Sequence, residues 1–299
     1  MRKIIMLILL VLVLSVKNTY SQQPQTNKVI ITGTRFTYPI IEKWIAEFKK
    51  THPDVNIALA PLGTSGADSA NLKIVSHDLV TTDLKEGDAY IAVAKYGLLS
   101  IANSKSPLVG YYKNRGLQEA DINKLFFTDN TGTIKNYVVY TRQQKSCAPI
   151  SFANNYGHSF DDLSGTKIQG DDKALLYALK KDSLGISYNN LGYVYDVNTR
   201  KIVDNIAVLP VDLNHNGKID SDEQFYNSLD EVIAKYETIQ NKLLATEDVN
   251  VIYSQKSANP NIQLFLNWVL TDGQKYNHAV GFLNFNSIEL NKQKIALQK

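Results

Sequence analysis

Residues 29–48 set the frame for what this chain can become. A β-branched run, Val29-Ile30-Ile31-Thr32, ends at Gly33 and gives way to a stretch in which Ile41, Trp44, Ile45 and Phe48 fall at i, i+3, i+4 and i+7. The first pattern predicts a strand and the second a helix with one buried stripe. Pro39 suits a first helical turn, and Thr37 is placed to cap free amide groups there. The Gly-Thr-Arg-Phe-Thr loop sets N–H groups, hydroxyls and a guanidinium at a helix N-terminus, where a small anion is favoured. Taken alone, the same residues also make an ordinary strand–helix connection.

The pattern recurs. Residues 54–60 predict a strand running into Pro61-Leu-Gly-Thr-Ser-Gly, a small-residue loop that opens a helix. Residues 78–83 predict a short strand ending in two threonines and Asp83, residues 90–103 a long apolar extended segment, and 117–126 a helix. A strand over 136–142 is followed by a loop over 143–149, with Pro149 in the next helix's first turn and Phe152 and Tyr156 on one face. Then come a strand at 166–170, a helix at 172–180, an extended segment at 184–195 and a strand at 206–211. A long helix over 223–245, a strand over 250–254, an amphipathic helix over 261–270, an extended piece over 281–285 and a polar terminal helix complete the chain. Such alternation predicts an α/β protein with parallel strands and a ligand crevice at their C-terminal ends.

The first segment stands apart from this pattern. Arg2 and Lys3 precede an unbroken apolar run over 4–14, and a polar stretch follows. This reads as a signal peptide over 1–21 and an exported protein, not membrane-spanning after cleavage. Cys147 is the single cysteine, so an intramolecular disulfide is excluded, and no cysteine follows the apolar run to carry a lipid. The formal charge of +3 falls to zero once Arg2, Lys3 and Lys17 are removed, which leaves no electrostatic footprint for nucleic acid.

Residues 212–223 match the twelve-residue calcium loop of EF-hands position by position. Asp212, Asn214, Asn216 and Asp220 supply side-chain oxygens at positions 1, 3, 5 and 9, Lys218 a backbone carbonyl at 7, and Glu223 the carboxylate at 12. Gly217 takes the turn position and Ile219 the apolar one. The expected cofactor is a structural Ca2+, held weakly because two ligands are neutral amides; an Asn/Asp-rich turn without metal is the alternative. His52, His77, His158, His215 and His278 show no zinc-ligand or triad spacing and read mostly as surface residues.

Several short motifs together resemble the phosphate-binding substrate-binding proteins of ABC transporters. Gly33-Thr34-Arg35-Phe36-Thr37-Tyr38-Pro39 is similar to that family's Gly-Ala-Thr-Phe-Pro loop, and Gly63-Thr64-Ser65-Gly66 to its Gly-Ser-Ser/Gly-Gly loop. Asp78-Leu-Val-Thr-Thr-Asp83 resembles its Asp-Phe-Gly-Ala-Ser-Asp segment, and Arg142-x-x-x-Ser146-Cys147-Ala148 its Arg-x-x-x-Ser-Gly-Thr loop. Residues 268–276 are like its C-terminal Trp-x-x-x-x-Gly-Gln stretch. Cys147 and Ala148 depart from Gly and Thr, and Arg35 replaces a small or hydroxyl residue.

The resemblance implies a two-lobed type II periplasmic-binding fold. Each lobe would be a central mixed sheet flanked by helices, with the ligand in the interlobe cleft. Residues 28–103 with 246–299 would form the first lobe, and 104–245, including the calcium loop, the second. It further implies a monomeric, non-enzymatic receptor for inorganic phosphate serving an ABC permease. Arg142 would supply a guanidinium fork; Thr64, Ser65 and Ser146 hydroxyls; and Arg35, Phe36 and Cys147 backbone amides, with Ala148 beside them. Asp83 would accept the proton of hydrogen phosphate, which sulfate lacks. The alternatives are a sensor or interaction protein on this fold that binds another small anion, and a phosphoester hydrolase using Ser65 or Cys147.

Overall fold

A computed structural model describes residues 28–61, 70–128 and 137–298. The expected signal segment and the loop residues Thr64 and Ser65 lie outside these. In chain order the strands are β1 (Val29–Gly33), β2 (Ile57–Leu59), β3 (Leu72–Val75), β4 (Asp88–Asn103), β5 (Val138–Arg142), β6 (Thr166–Ile168), β7 (Gly185–Asn190), β8 (Ile206–Val208) and β9 (Thr246–Ser254). The α-helices are α1 (Tyr38–Thr51), α2 (Pro107–Tyr112), α3 (Glu119–Phe126), α4 (Cys147–Asn155), α5 (Asp172–Lys181), α6 (Leu191–Val194), α7 (Leu229–Thr238), α8 (Pro260–Val269) and α9 (Ser287–Leu297).

The strands form one path, β2-β1-β3-β9-β4-β7-β5-β6, with β8 also paired to β4. β1 runs parallel to β2 and β3, and β5 runs parallel to β6 and β7. β4 joins the two groups. Its first part pairs antiparallel with β9 up to Gly97↔Thr246, and its second part with β7 from Leu98↔Asn190 onward. The partner changes at Gly97–Leu98, inside the segment that the sequence reading gives to the first lobe. The apolar run of β4 follows from this position, because a strand covered on both faces needs no polar side. Ile91, Val93, Ala94, Ile101 and Ala102 are all buried.

Strands from both ends of the chain, β1 to β3 and β9, lie side by side in the sheet. α1 buries Ile40, Ile41, Trp44 and Phe48, close to the stripe expected from their spacing, while Ile45 is only half-buried. The Trp44 indole N–H donates to the Gly273 carbonyl at 3.1 Å and to Asn277 Oδ1 at 3.2 Å, giving a large buried ring the polar partner it needs. Among the described residues no helix is long and apolar enough to cross a membrane.

Several local expectations need correction. Residues 78–83 are not a strand; the strand is β3, and Thr81–Asp83 is a 3-10 turn. Leu72, Ile74 and Val75 are buried between β1 and β9, and the helix expected to open from the loop at residue 61 falls mostly on 62–69, outside the described residues. Thr37 does not cap α1: its hydroxyl donates to the Thr34 carbonyl at 2.6 Å and tightens a 3-10 turn, Arg35–Thr37. The long helix over 223–245 shrinks to α7, because the core takes up Phe225 and Ser228 caps a new start by accepting from the Glu231 amide. The extended segment over 184–195 is β7 followed by the single turn α6.

Gly97 marks the changeover in β4. A methyl group there would stand 2.7 Å from the Tyr236 ring, whose hydroxyl donates to the Leu98 carbonyl at 2.8 Å. Gly97→Ala is expected to cost about 1–3 kcal/mol of unfolding free energy in a urea titration. An unchanged midpoint would mean that Tyr236 does not confine this strand.

Candidate functional site

Strands β1, β3 and β5 end at one cavity of about 530 Å³. Thr34, Arg35 and Phe36 follow β1, His77 follows β3, and Arg142 ends β5 before the turn that carries Ser146, Cys147 and Ala148 into α4. Gly170, Asp171 and Asp172 close the wall from the start of α5, with Tyr193 from α6. This is the placement expected for a crevice at strand C-termini.

Phe36 is fixed by packing. Its ring lies 4.7 Å from Tyr96 and 6.1 Å from Phe282, so its backbone is held at the cavity wall. Arg142 is only 8% exposed; it donates through Nη1 to Asp172 Oδ1 at 2.6 Å, while its buried Nε has no partner. Burial pushes the Asp172 carboxyl above its ordinary range, and the Arg142 guanidinium pulls against that. Asn189 holds the same turn by donating to the Asp172 carbonyl at 3.0 Å. Ser146 stands at the N-cap of α4 with its hydroxyl buried and unpartnered.

Two contacts cross from the β1 side to the β5 side. Arg35 Nη1 pairs with Asp171 Oδ2 at 3.1 Å, and the Thr34 hydroxyl lies 2.9 Å from Cys147 Sγ. Asp171 also caps α5 by accepting the Lys173 and Ala174 amides. Burial raises its carboxyl, but the Ala174 amide and Arg35 more than offset this and hold it below the ordinary range. Burial, followed by the Asp172 and Asp171 charges, lifts the Tyr193 hydroxyl to about 12, so it remains a neutral donor on the wall.

Cys147 has three polar neighbours. Its sulfur meets the Thr34 hydroxyl, His77 Nδ1 at 3.1 Å and the Ser76 amide at 3.4 Å. Burial pushes the thiol up, while the Thr34 hydroxyl and the Ser76 amide pull it back. Ser76 is itself held: its carbonyl accepts from the Tyr96 hydroxyl at 2.7 Å. Behind His77, Nε2 lies 3.4 Å from Asp83 Oδ2, an oxygen that also accepts the Val80 amide at 3.0 Å.

Arg35, Phe36, Arg142, Ser146, Cys147 and Ala148 therefore share one cavity wall. Asp83 stands behind His77 and lines a different cavity, together with Lys73 and Lys85. Sequence reasoning missed His77, which it took for a surface residue, and the pair Asp171–Asp172. A reading of Leu72-Lys-Ile-Val as a strand would have placed His77 in a strand-end loop beside Thr34 and Arg142.

The two arginines are held differently, and their removal should differ accordingly. Arg142→Ala leaves Asp172 buried without its counter-charge and is expected to cost about 3–5 kcal/mol in urea unfolding near neutral pH. The loss should shrink in acid, where a protonated Asp172 needs no partner. The Arg35 side chain is 58% exposed, so Arg35→Ala should cost less than about 1 kcal/mol. Equal costs would contradict this division.

No protein-family model and no curated protein matches the sequence. Solved structures do match. A proposed phosphate ABC transporter substrate-binding protein from Clostridium perfringens, with phosphate bound, superposes with a TM-score of 0.64 at 17% identity, over 87% of this chain and 100% of that one. An ABC-type phosphate transport receptor from Vibrio cholerae gives 0.58 at 13% identity, over 85% and 99%. The sulfate-bound regulatory domain of an OxyR2 variant from Vibrio vulnificus gives 0.51 at 10% identity, over 82% and 95%. The chain has the two-lobed type II periplasmic-binding fold.

Proposed function

We propose that this protein is an exported solute-binding protein that captures inorganic phosphate between its lobes, for uptake through an ABC permease. The observation that carries the reading is Arg142, a buried guanidinium with a free Nε on the wall of a cleft also lined by the first turn of α4. A buried donor without a partner costs free energy, and an oxyanion oxygen would satisfy it. Arg35, Lys145 and the Tyr193 hydroxyl add charge and donors. The neighbours in fold from Clostridium perfringens and Vibrio cholerae are described as phosphate-transport proteins, which supports the same ligand. Two carboxylates line this wall; Asp171 caps α5 and pairs with Arg35, and Asp172, buried beside Arg142, is the one that takes the part first expected of Asp83: it repels an anion that has no proton to donate. Isothermal titration of residues 22–299 with phosphate and with sulfate near pH 7 tests this. Micromolar or tighter phosphate binding with little sulfate heat is expected. Equal binding of both would overturn the role of Asp172, and binding of neither would overturn the ligand.

We also infer that residues 212–223 hold Ca2+. Among the described residues no three His, Cys, Asp or Glu side chains gather as a metal cluster, and the loop's oxygens are instead a mixture of carboxylates and amides. Their arrangement fits the group. Asp212 is fully buried and accepts the Asn216 and Gly217 amides at 3.1 and 2.8 Å; Asn214 and Asn216 both reach Asp220 Oδ2, at 2.9 and 2.6 Å. Glu223, 1% exposed, closes the loop by accepting the Leu213 and Asp220 amides at 2.6 and 2.9 Å. Lys218, then the Asn214 and Asn216 amides, hold the Asp220 carboxyl down to about 2, so it is ionised as a hard cation requires. A bound Ca2+ would offset two of the three negative charges on Asp212, Asp220 and Glu223 and brace the second lobe, where Gln118 donates to Asp212 Oδ2 at 2.8 Å. Chelation is expected to lower the melting temperature, and Asp212→Ala to abolish that sensitivity. A wild-type protein indifferent to chelator would sink the assignment.

A further inference from the structure

We propose that Cys147 is a nucleophile, with His77 as its base, for small electrophiles that carry a carboxylate or phosphate group. The proposal rests on reading the cleft as an anion site. A catalytic thiol needs a base within hydrogen-bond reach and a third group to orient that base. Both are in place: His77 Nδ1 is 3.1 Å from Sγ, and Asp83 Oδ2 is 3.4 Å from Nε2. With the ring proton on Nε2 and facing Asp83, Nδ1 is free to take the thiol proton. The Ser76 amide donates to sulfur, and the Thr34 hydroxyl at 2.9 Å is able to, which favours the thiolate once it forms.

A second, independent observation says what would be presented to this thiol. The same cavity wall holds Arg142, more than nine-tenths buried, with an unpartnered Nε. An electrophile that rests its anionic group there places its reactive carbon inside a cavity of about 530 Å³, larger than inorganic phosphate needs. The charged groups around the Cys147–His77 pair are Asp83 from the turn after β3, Asp171 and Asp172 from the start of α5, Arg142 and Lys145 from β5 and its loop, and Arg35 from the loop after β1. The carboxylates of Asp171 and Asp172 are each paired with an arginine, which leaves Lys145 and the unpartnered Nε of Arg142 to draw an anion.

Iodoacetate is the probe. The thiol sulfur attacks the methylene carbon, the S–C bond forms as the C–I bond breaks, iodide leaves and the thiol proton passes to His77. Cys147 is the only cysteine, so the mass of the intact protein reports a single thiol adduct, and a peptide map places it on Cys147. In the native protein, residues 22–299, carboxymethylation by iodoacetate should outpace the reaction with neutral iodoacetamide, and phosphate should slow it. His77→Gln should reduce the rate about a hundredfold or more, the usual contribution of a general base. It should also move the rise of rate with pH upward, to where the thiol ionises unaided. A loss of packing alone would not produce that shift. Asp83→Asn, which keeps the imidazole and removes its orienting charge, should give a smaller reduction, and both variants are checked for an intact melting transition.

A rate and pH profile unchanged in His77→Gln, a preference for iodoacetamide, or a thiol that reacts only after denaturation would each overturn the proposal. Failure of the phosphate reading looks different. Phosphate would then neither bind in calorimetry nor protect, while His77-dependent, iodoacetate-selective labelling persisted.

Discussion

The antiparallel pairing of β4 is the contact on which the rest of the molecule depends. One strand pairs with β9 as far as Gly97 and with β7 from Leu98, so both groups of parallel strands hang from a single backbone. Its hydrogen bonds are shielded by Ile91, Val93, Ile101 and Ala102, all buried, and a shielded ladder holds its register firmly. The cavity lies where the ends of β1, β3 and β5 meet, and the two halves of that meeting are brought together by β4 and β9 rather than by the loops themselves.

The loops then carry charge at some cost in stability. Arg142 and Asp172 are buried together, and breaking such a pair leaves a charge that nothing compensates. Arg35 and Asp171 are a looser pair at the mouth, with more solvent around them. Four of the cleft's contacts to Cys147 and Asp171 come from residues on the β1 and β3 side, namely Thr34, Arg35, Ser76 and His77. Opening the lobes would break all four, so the sulfur's surroundings are complete only when the halves are together.

Much of the architecture could be read from the chain. The apolar spacing of Ile41, Trp44 and Phe48, the unbroken run of β4 and the β-branched ends of β1 and β5 each report a local preference that tertiary packing reinforces. Where a local pattern was ambiguous, packing decided. Leu72-Lys-Ile-Val is too short for periodicity to separate strand from helix, and the gap between β1 and β9 settled it. Residues 223–245 hold enough helix formers to suggest one long helix, but Phe225 and Leu243 have places in the core that a straight helix could not fill.

The sequence by itself determined the alternation of strand, loop and helix, the position of Arg142 and Cys147 at a strand–helix junction, and the spacing of oxygens over 212–223. All of these depend on residues within a turn or two of one another. Only the tertiary structure decided which side chains face one another across the cleft. Arg35 meets Asp171 from 136 residues away, and His77 meets Cys147 from 70. Asp83, placed against the anion by motif alone, stands behind His77, because its carboxylate caps the Val80 amide in a 3-10 turn where a strand had been expected. Periodicity and propensity act over a few residues, whereas the meeting of distant loops is set by the register of a sheet, which no local stretch encodes.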